Sequence, residues 1–193
     1  HGTAITVGAA ILNGLKVVGK DIKTVKLVTS GAGAAALACL GLLVKLGMPR
    51  KNIFVTDLAG VVYEGRTELM DADKIEFVQK TSARTLGEVI ADADIFLGLS
   101  AGGVLKPEMV KKMASRPLIL ALANPNPEIT PEEVKKVRDD AIMATGRTDY
   151  PNQVNNVLCF PYIFRGALDA GARDLHGRRE SAPARGFAEL AQA

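Results

Sequence analysis

The sequence contains no tryptophan, and only three tyrosines and six phenylalanines among its 193 residues. So few aromatics leave little on which single-stranded bases could stack. Charge of one sign is lacking too: 24 basic side chains face 21 acidic ones, a net charge of +3, too balanced to argue for nucleic acid. Part of the basic excess is local, in Arg173, Arg178, Arg179 and Arg185, and reads as a solvated helix face. No apolar run reaches about 18 residues without a polar break, so no membrane span is expected. The two cysteines, Cys39 and Cys159, sit in apolar runs and read as small core hydrophobes in a reducing, cytoplasmic setting. The two histidines, His1 and His176, are far apart, and no His/Cys cluster with metal spacing or nucleophile elbow is present. The start, His1-Gly2-Thr3-Ala4, has neither an initiator Met nor the features of a signal peptide, so the chain is expected to be a piece of a longer protein.

What the chain does have is a hydrophobic content of 48%, arranged as alternating helix and strand patterns. Thr3 to Gly19 is apolar nearly all round and predicts a buried helix. Short apolar strands are expected at Val25–Thr29, Ile53–Thr56, Ile95–Leu99, Leu118–Leu122 and Ala141–Thr145, with a sixth at Val157–Phe160. Helices are expected at Ala34–Leu46, Leu86–Ala91, Pro107–Met113 and Tyr162–Ala170, with a mixed helical pattern at 72–79. Thr130-Pro131-Glu132-Glu133 starts another, with Thr130 as N-cap and Glu133 placed to complete a capping box. Strands apolar on both faces, each followed by a helix, predict an α/β fold: a Rossmann-like, doubly wound, mostly parallel sheet with helices on both faces. The domain is expected to span residues 1–172, with a weakly helical tail at 173–193 interrupted by Gly177, Pro183 and Gly186.

Gly31-x-Gly33-x-x-Ala36 lies between a predicted strand and a predicted helix, the context a dinucleotide fingerprint requires. Gly31 permits the turn, Gly33 lets a pyrophosphate approach the backbone, and Ala36 lets the helix pack close to the sheet. The helix amides then face the anion. The alternative is a tight bend in an alanine-rich core. Asp57, ending the second strand, is a candidate acceptor for a ribose diol, although it comes later than the ~20 residues usual. Its alternative is a turn residue. An acid there repels a 2′-phosphate, and Arg66 is placed to offset that, so NAD and NADP both stay open.

Three further loops should share that edge of the sheet. Ser100-Ala101-Gly102-Gly103 is small enough for close passage of a ligand or another backbone. Asn124-Pro125-Asn126-Pro127 presents a carboxamide from a stiff loop. Thr145 to Asn156 carries Arg147, Asp149, Asn152, Gln153, Asn155 and Asn156, which need mutual partners or a ligand.

These stretches carry a resemblance. "HGTAI" at 1–5, "SGAGAAALAC" at 30–39, "TDLAGVVYEGR" at 56–66, "FLGLSAGGVLKPEMV" at 96–110, "LALANPNPEI" at 120–129 and "ATGRTDYPNQVNNVLCFPYIFRGALD" at 144–169 closely resemble the cofactor-binding domain of bacterial malic enzymes. The resemblance implies oxidation of L-malate at C2 with hydride passing to NAD or NADP. CO₂ is lost and pyruvate released, with Mg²⁺ or Mn²⁺ acting as Lewis acid in the intact enzyme. It also implies roles for residues. Gly31, Ala32, Gly33, Ala34 and Ala35 match the pyrophosphate turn, and Thr3 matches a residue beside the cofactor. Asn124 matches an asparagine at the nicotinamide ribose and substrate region. Asn156 or its neighbour Asn155 matches one near the substrate carboxylate.

In that family the catalytic Lys and Tyr and the carboxylate metal ligands precede the HGTA motif. No catalytic base, acid or metal ligand is therefore expected in this chain. The fragment alone is expected to bind nucleotide weakly and to turn over no malate. Expected partners are malate or pyruvate, a preceding catalytic domain that covers part of the Thr3–Gly19 helix, and further copies in a homo-oligomer. The rival readings are a nucleotide-binding regulatory module without chemistry, and another NAD(P)-dependent dehydrogenase such as an amino-acid dehydrogenase.

Overall fold

The computed structural model describes residues 2–169, so the expected tail and its arginines lie outside the described residues. The chain opens with α1 (Gly2–Val18), β1 (Leu27–Ser30) and α2 (Ala34–Lys45). A 3₁₀ turn, Arg50–Asn52, leads into β2 (Ile53–Asp57) and β3 (Gly60–Val61). Then follow α3 (Ala72–Ile75), α4 (Leu86–Val89), β4 (Ile95–Gly98), α5 (Pro107–Lys111), β5 (Leu118–Ala121), α6 (Pro131–Lys135) and β6 (Ile142–Thr145). A second 3₁₀ turn, Asn156–Leu158, precedes α7 (Phe160–Asp169).

The six strands form one sheet in the order β3-β2-β1-β4-β5-β6. All neighbours are parallel except β2 and β3, where Thr56 faces Val61 and Asp57 faces Gly60. The chain winds outward from β1 in both directions, so the switch point falls between β1 and β4.

Alternate strand residues feed two cores, one on each face. Leu27, Ile53, Val55, Ile95, Leu97, Leu118 and Leu120 pack with α1 and α2. Val28, Phe96, Ile119 and Ala121 pack with α4, α5 and α6. That period of two, apolar on both sides, is why the strands read as continuous hydrophobic runs. Gly14 brings α1 against β5, since a Cβ there would lie 2.8 Å from the Leu118 side chain. Gly47 ends α2 in the left-handed region (φ +116°), as its C′ position requires. At α6 the expected capping box is complete: Thr130 Oγ1 accepts from the Glu133 amide, and Glu133 Oε2 accepts from the Thr130 amide.

Two expectations are corrected. Val157–Phe160 is not a strand: Asn155 Oδ1 accepts the Val157 amide and the Cys159 amide bonds the Asn156 carbonyl, winding the segment into helix. The sixth strand is instead the two-residue β3, antiparallel at the edge. On α1, Ile5, Val7, Ile11, Leu15 and Val18 are buried against the rest of this domain, while Val17 is exposed. Exposed apolar side chains gather on and before α7, at Val157, Leu158, Phe160, Tyr162, Phe164 and Leu168; Val17, Leu58, Leu69 and Ile75 are exposed elsewhere. Both cysteines are buried as expected, and burial pushes the Cys39 thiol up to about 12, which makes it an inert packing residue.

Candidate dinucleotide site

β1 ends at Ser30, and Gly31 turns the chain into α2 with φ +109°. A Cβ at Gly31 would fall 2.4 Å from the Leu99 carbonyl oxygen, so the turn tolerates only glycine. The Gly31 amide extends the β1–β2 ladder by donating to the Thr56 carbonyl at 2.8 Å. Gly33 is the N-cap of α2 in extended conformation, and it brings no side-chain cap. The first-turn amides of α2 therefore have no acceptor within their own helix. Gly33, Ala34 and Ala35 are exposed while Ala32 and Ala36 are buried, so the mouth of the turn is open.

The turn lines a cleft of about 340 Å³ with Ser30, Thr56, Asp57, Leu58, Gly60, Leu86, Ser100, Ala101 and Val104. These come from the carboxyl ends of β1, β2 and β4, the position at which open α/β sheets bind ligands. Leu58 is fully exposed there, an apolar surface beside a polar floor. Ser30 and Ser100 join hydroxyl to hydroxyl at 2.8 Å across the switch point.

Asp57 sits at the end of β2 and is already well bonded. Its Oδ1 accepts from Arg66 at 2.5 Å and from the Ala59 amide at 2.9 Å, and its Oδ2 accepts from Lys74 at 3.0 Å. A carboxylate offers about four acceptor sites, so roughly one remains for a ligand. Burial raises the Asp57 pKa, but the bonds from Arg66 and Lys74 outweigh it, and the carboxyl lies below its ordinary value. Asp57 shapes its own turn and also lines the cleft.

Asn124 follows β5 at the same edge, exposed, in a loop with a cis Asn124–Pro125 bond. The neighbouring Gly102 allows close passage of a backbone, as its Cβ would lie 2.8 Å from Asn126. Beyond β6, most polar side chains of 145–156 have local partners, chiefly main-chain ones. Arg147 pairs with Asp149, and Asn152 donates to the Met143 carbonyl. Asn155 donates to the Gly146 carbonyl and accepts from Val157. Asn156 is exposed and forms no side-chain hydrogen bond with the described residues. Gly2 lies against that turn, since a Cβ there would fall 3.6 Å from the Asn156 Cβ, which brings the helix start bearing Thr3 beside Asn156.

One residue of this edge was overlooked in the sequence. Glu128 is 0% exposed, and its carboxylate accepts the amides of Ser100 and Ala123 at 2.9 and 3.0 Å. Its setting between two prolines and an apolar Ile129, in "NPNPEI", is the signal that marks it as inward-facing.

Comparison with known proteins follows this geometry. The family described as malic enzyme, NAD binding domain, matches residues 1–193. The chain belongs to that family. The NAD-dependent malic enzyme of Rhizobium meliloti (strain 1021) is 59% identical over 192 residues, covering 100% of this chain and 25% of that protein. The NADP-dependent malic enzyme of Escherichia coli (strain K12) is 59% identical over 194 residues, covering 100% of this chain and 26% of that protein. The crystal structure of Entamoeba histolytica malic enzyme superposes with a TM-score of 0.92 at 38% identity, covering 99% of this chain and 41% of that one. The chain thus spans about a quarter of the length of these curated relatives. As a malic-enzyme NAD-binding domain it carries the expected Rossmann-like architecture, and the amino-acid dehydrogenase reading falls away. Among its described residues no group of three His, Cys, Asp or Glu could hold a metal ion. No helix among the described residues is long and apolar enough to cross a membrane.

Proposed function

We propose that this domain holds NAD or NADP in a protein that oxidatively decarboxylates malate to pyruvate. One observation carries the reading: Gly31 and Ala32 of the turn line a single cleft with Asp57 and Ser100 at the switch point of the sheet, and the exposed Gly33, Ala34 and Ala35 continue directly from it. The amides of Gly33, Ala34 and Ala35 hold the pyrophosphate, helped by the positive end of α2. Asp57 takes one ribose hydroxyl with its remaining acceptor site, and Leu58 covers the adenine. Arg66 and Lys74 beside Asp57, with the Asp71 carboxylate 3.8 Å from Lys74, leave that corner balanced rather than acidic, so a 2′-phosphate is tolerated. Arg66 is occupied by Asp57 and the carbonyls of Gly60, Val61 and Glu68; Lys74, which donates to Asp57 and to the Leu69 carbonyl, keeps one ammonium N–H to meet the phosphate.

On the other half of the edge, Asn124 orients the nicotinamide ribose and Thr3 lies beside the cofactor. Asn156 contacts a substrate carboxylate. Asn155 does not, because both ends of its carboxamide serve the local turn. Bound dinucleotide supplies the hydride acceptor; the residues named here bind it, orient it and exclude water on one side. The acid, base and metal ligands are assigned to the remainder of the protein, which is proposed to work as a homo-oligomer.

Calorimetric titration of the chain with NAD⁺, NADP⁺ and ADP tests the binding, and malate-dependent NAD(P)⁺ reduction by the full-length protein tests the reaction. Binding of all three ligands in competition for one site is the expected result. Binding of ADP alone, indifferent to Asn124→Ala, favours a regulatory module instead.

A further inference from the structure

The last ladder bond between β4 and β5 runs from the Leu122 amide to the Gly98 carbonyl at 3.0 Å. Beyond it the two strands diverge, and a carboxylate fills the gap. Glu128 Oε1 accepts the Ser100 amide and Oε2 accepts the Ala123 amide, one from each strand end. The peptide of the same segment continues the seam: the Gly103 amide bonds the Pro127 carbonyl and the Leu105 amide bonds the Glu128 carbonyl. Gly98 makes room for the carboxylate, since a Cβ there would lie 2.3 Å from Glu128 Cδ. No lysine or arginine among the described residues pairs with it, so two main-chain amides and the Ser100 hydroxyl, at 3.5 Å, are what hold this buried charge.

A carboxylate left without a cation in a core is expensive unless its position is needed. Here its two ligands are the residues that lead into the cleft. Ser100 reaches Ser30 across the switch point, and Ala123 immediately precedes Asn124. We propose that Glu128 is a positioning residue: it clamps the diverging ends of β4 and β5 so that Asn124 is held at the nicotinamide half of the cleft. This rests on the dinucleotide reading above. Glutamine cannot replace it in this role, because its amide nitrogen would set a donor against the N–H of Ser100 or Ala123.

The test is Glu128→Gln in the chain, titrated with NAD⁺ and with ADP, which lacks the nicotinamide half. NAD⁺ affinity is expected to fall about tenfold or more, and ADP affinity less than about threefold. Combined with Asn124→Ala, the glutamine is expected to cost no further NAD⁺ affinity, since the side chain it positions is gone. Equal losses of NAD⁺ and ADP, unchanged NAD⁺ binding, or factors that multiply in the double variant would each overturn the proposal. Should Glu128→Gln fail to fold, the wild-type Ala123 amide proton reports instead. It is expected to shift with saturating NAD⁺ and not with ADP, and the same response to both would refute the clamp. A wild-type chain that binds neither ligand defeats the dinucleotide reading itself, and the clamp with it.

Discussion

Asp57 and Arg66 meet carboxylate to guanidinium at 2.5 Å, with the arginine side chain only 2% exposed. The same guanidinium donates to the carbonyls of Gly60, Val61 and Glu68. It therefore pins the short β3 edge while balancing the acid that faces the cleft. Arg66→Met keeps most of the volume but strands a half-enclosed carboxylate and three carbonyls. The expected loss of stability is about 3 kcal/mol, read as a lower urea midpoint with an unchanged slope.

Lys74 is the second cation on Asp57 and the more accessible one, at 13% exposed. Lys74→Met removes a phosphate partner and leaves the acid less balanced, two effects of the same sign. NADP⁺ affinity is expected to fall about tenfold, which is ~1.4 kcal/mol, and NAD⁺ affinity to stay within about twofold. Paired calorimetric titrations check this, and equal losses would remove Lys74 from the 2′-phosphate site.

Asp57 and Glu128 make opposite contributions to the pH dependence of stability. Burial raises Asp57, but the bonds from Arg66 and Lys74 hold its carboxyl below the ordinary value. Its contribution is present above the unfolded pKa of about 3.9 and is lost as pH falls through the lowered native value. Burial raises Glu128, a shift its amide bonds only partly oppose. The native state then favours the protonated acid. Its contribution is full below the unfolded pKa of about 4.3 and declines as pH rises through the raised native value. Urea midpoints measured from about pH 4 to 7 should therefore show Glu128→Gln gaining on wild type as pH rises. A difference flat with pH would contradict the raised value.

Asn155 and Asn156 are adjacent but differently employed. Asn155→Ala breaks a turn cap and a bond to the Gly146 carbonyl, with an expected cost of about 1–2 kcal/mol. Asn156→Ala should leave thermal stability unchanged and raise the malate KM of the full-length protein about tenfold. Thermal melts and steady-state kinetics on both variants separate the two roles.

Much of this was legible in the residues. The five parallel strands were visible because each is apolar on both faces, and α6 because Thr130, Pro131 and Glu133 form its start in sequence order. The turn at Gly31 was legible because a main-chain site depends on spacing and on small residues. What escaped depended on contacts distant in sequence. The Gly60–Val61 pair is too short to show a period and exists because β2 and Arg66 hold it. Val157–Phe160 looked like a strand because a short apolar run cannot be told from helix by periodicity; the capping bond from Asn155 decides it. Glu128 was read past because its partners, Ser100 and Ala123, come from two separate strand ends.

The central claim is that main-chain amides at the start of α2 hold the cofactor's pyrophosphate, and Gly33 tests it most directly. Its φ of −81° suits any residue, and nothing lies within 4 Å of where its Cβ would be. A valine is therefore accommodated by the fold, at about 1 kcal/mol for the altered cap, while its methyls stand where the diphosphate would approach. Calorimetry on Gly33→Val should show ADP, NAD⁺ and NADP⁺ binding all reduced at least about tenfold, in a folded chain whose urea midpoint falls by only about 0.5 M. Undiminished binding in that folded variant would place the diphosphate elsewhere and contradict the account.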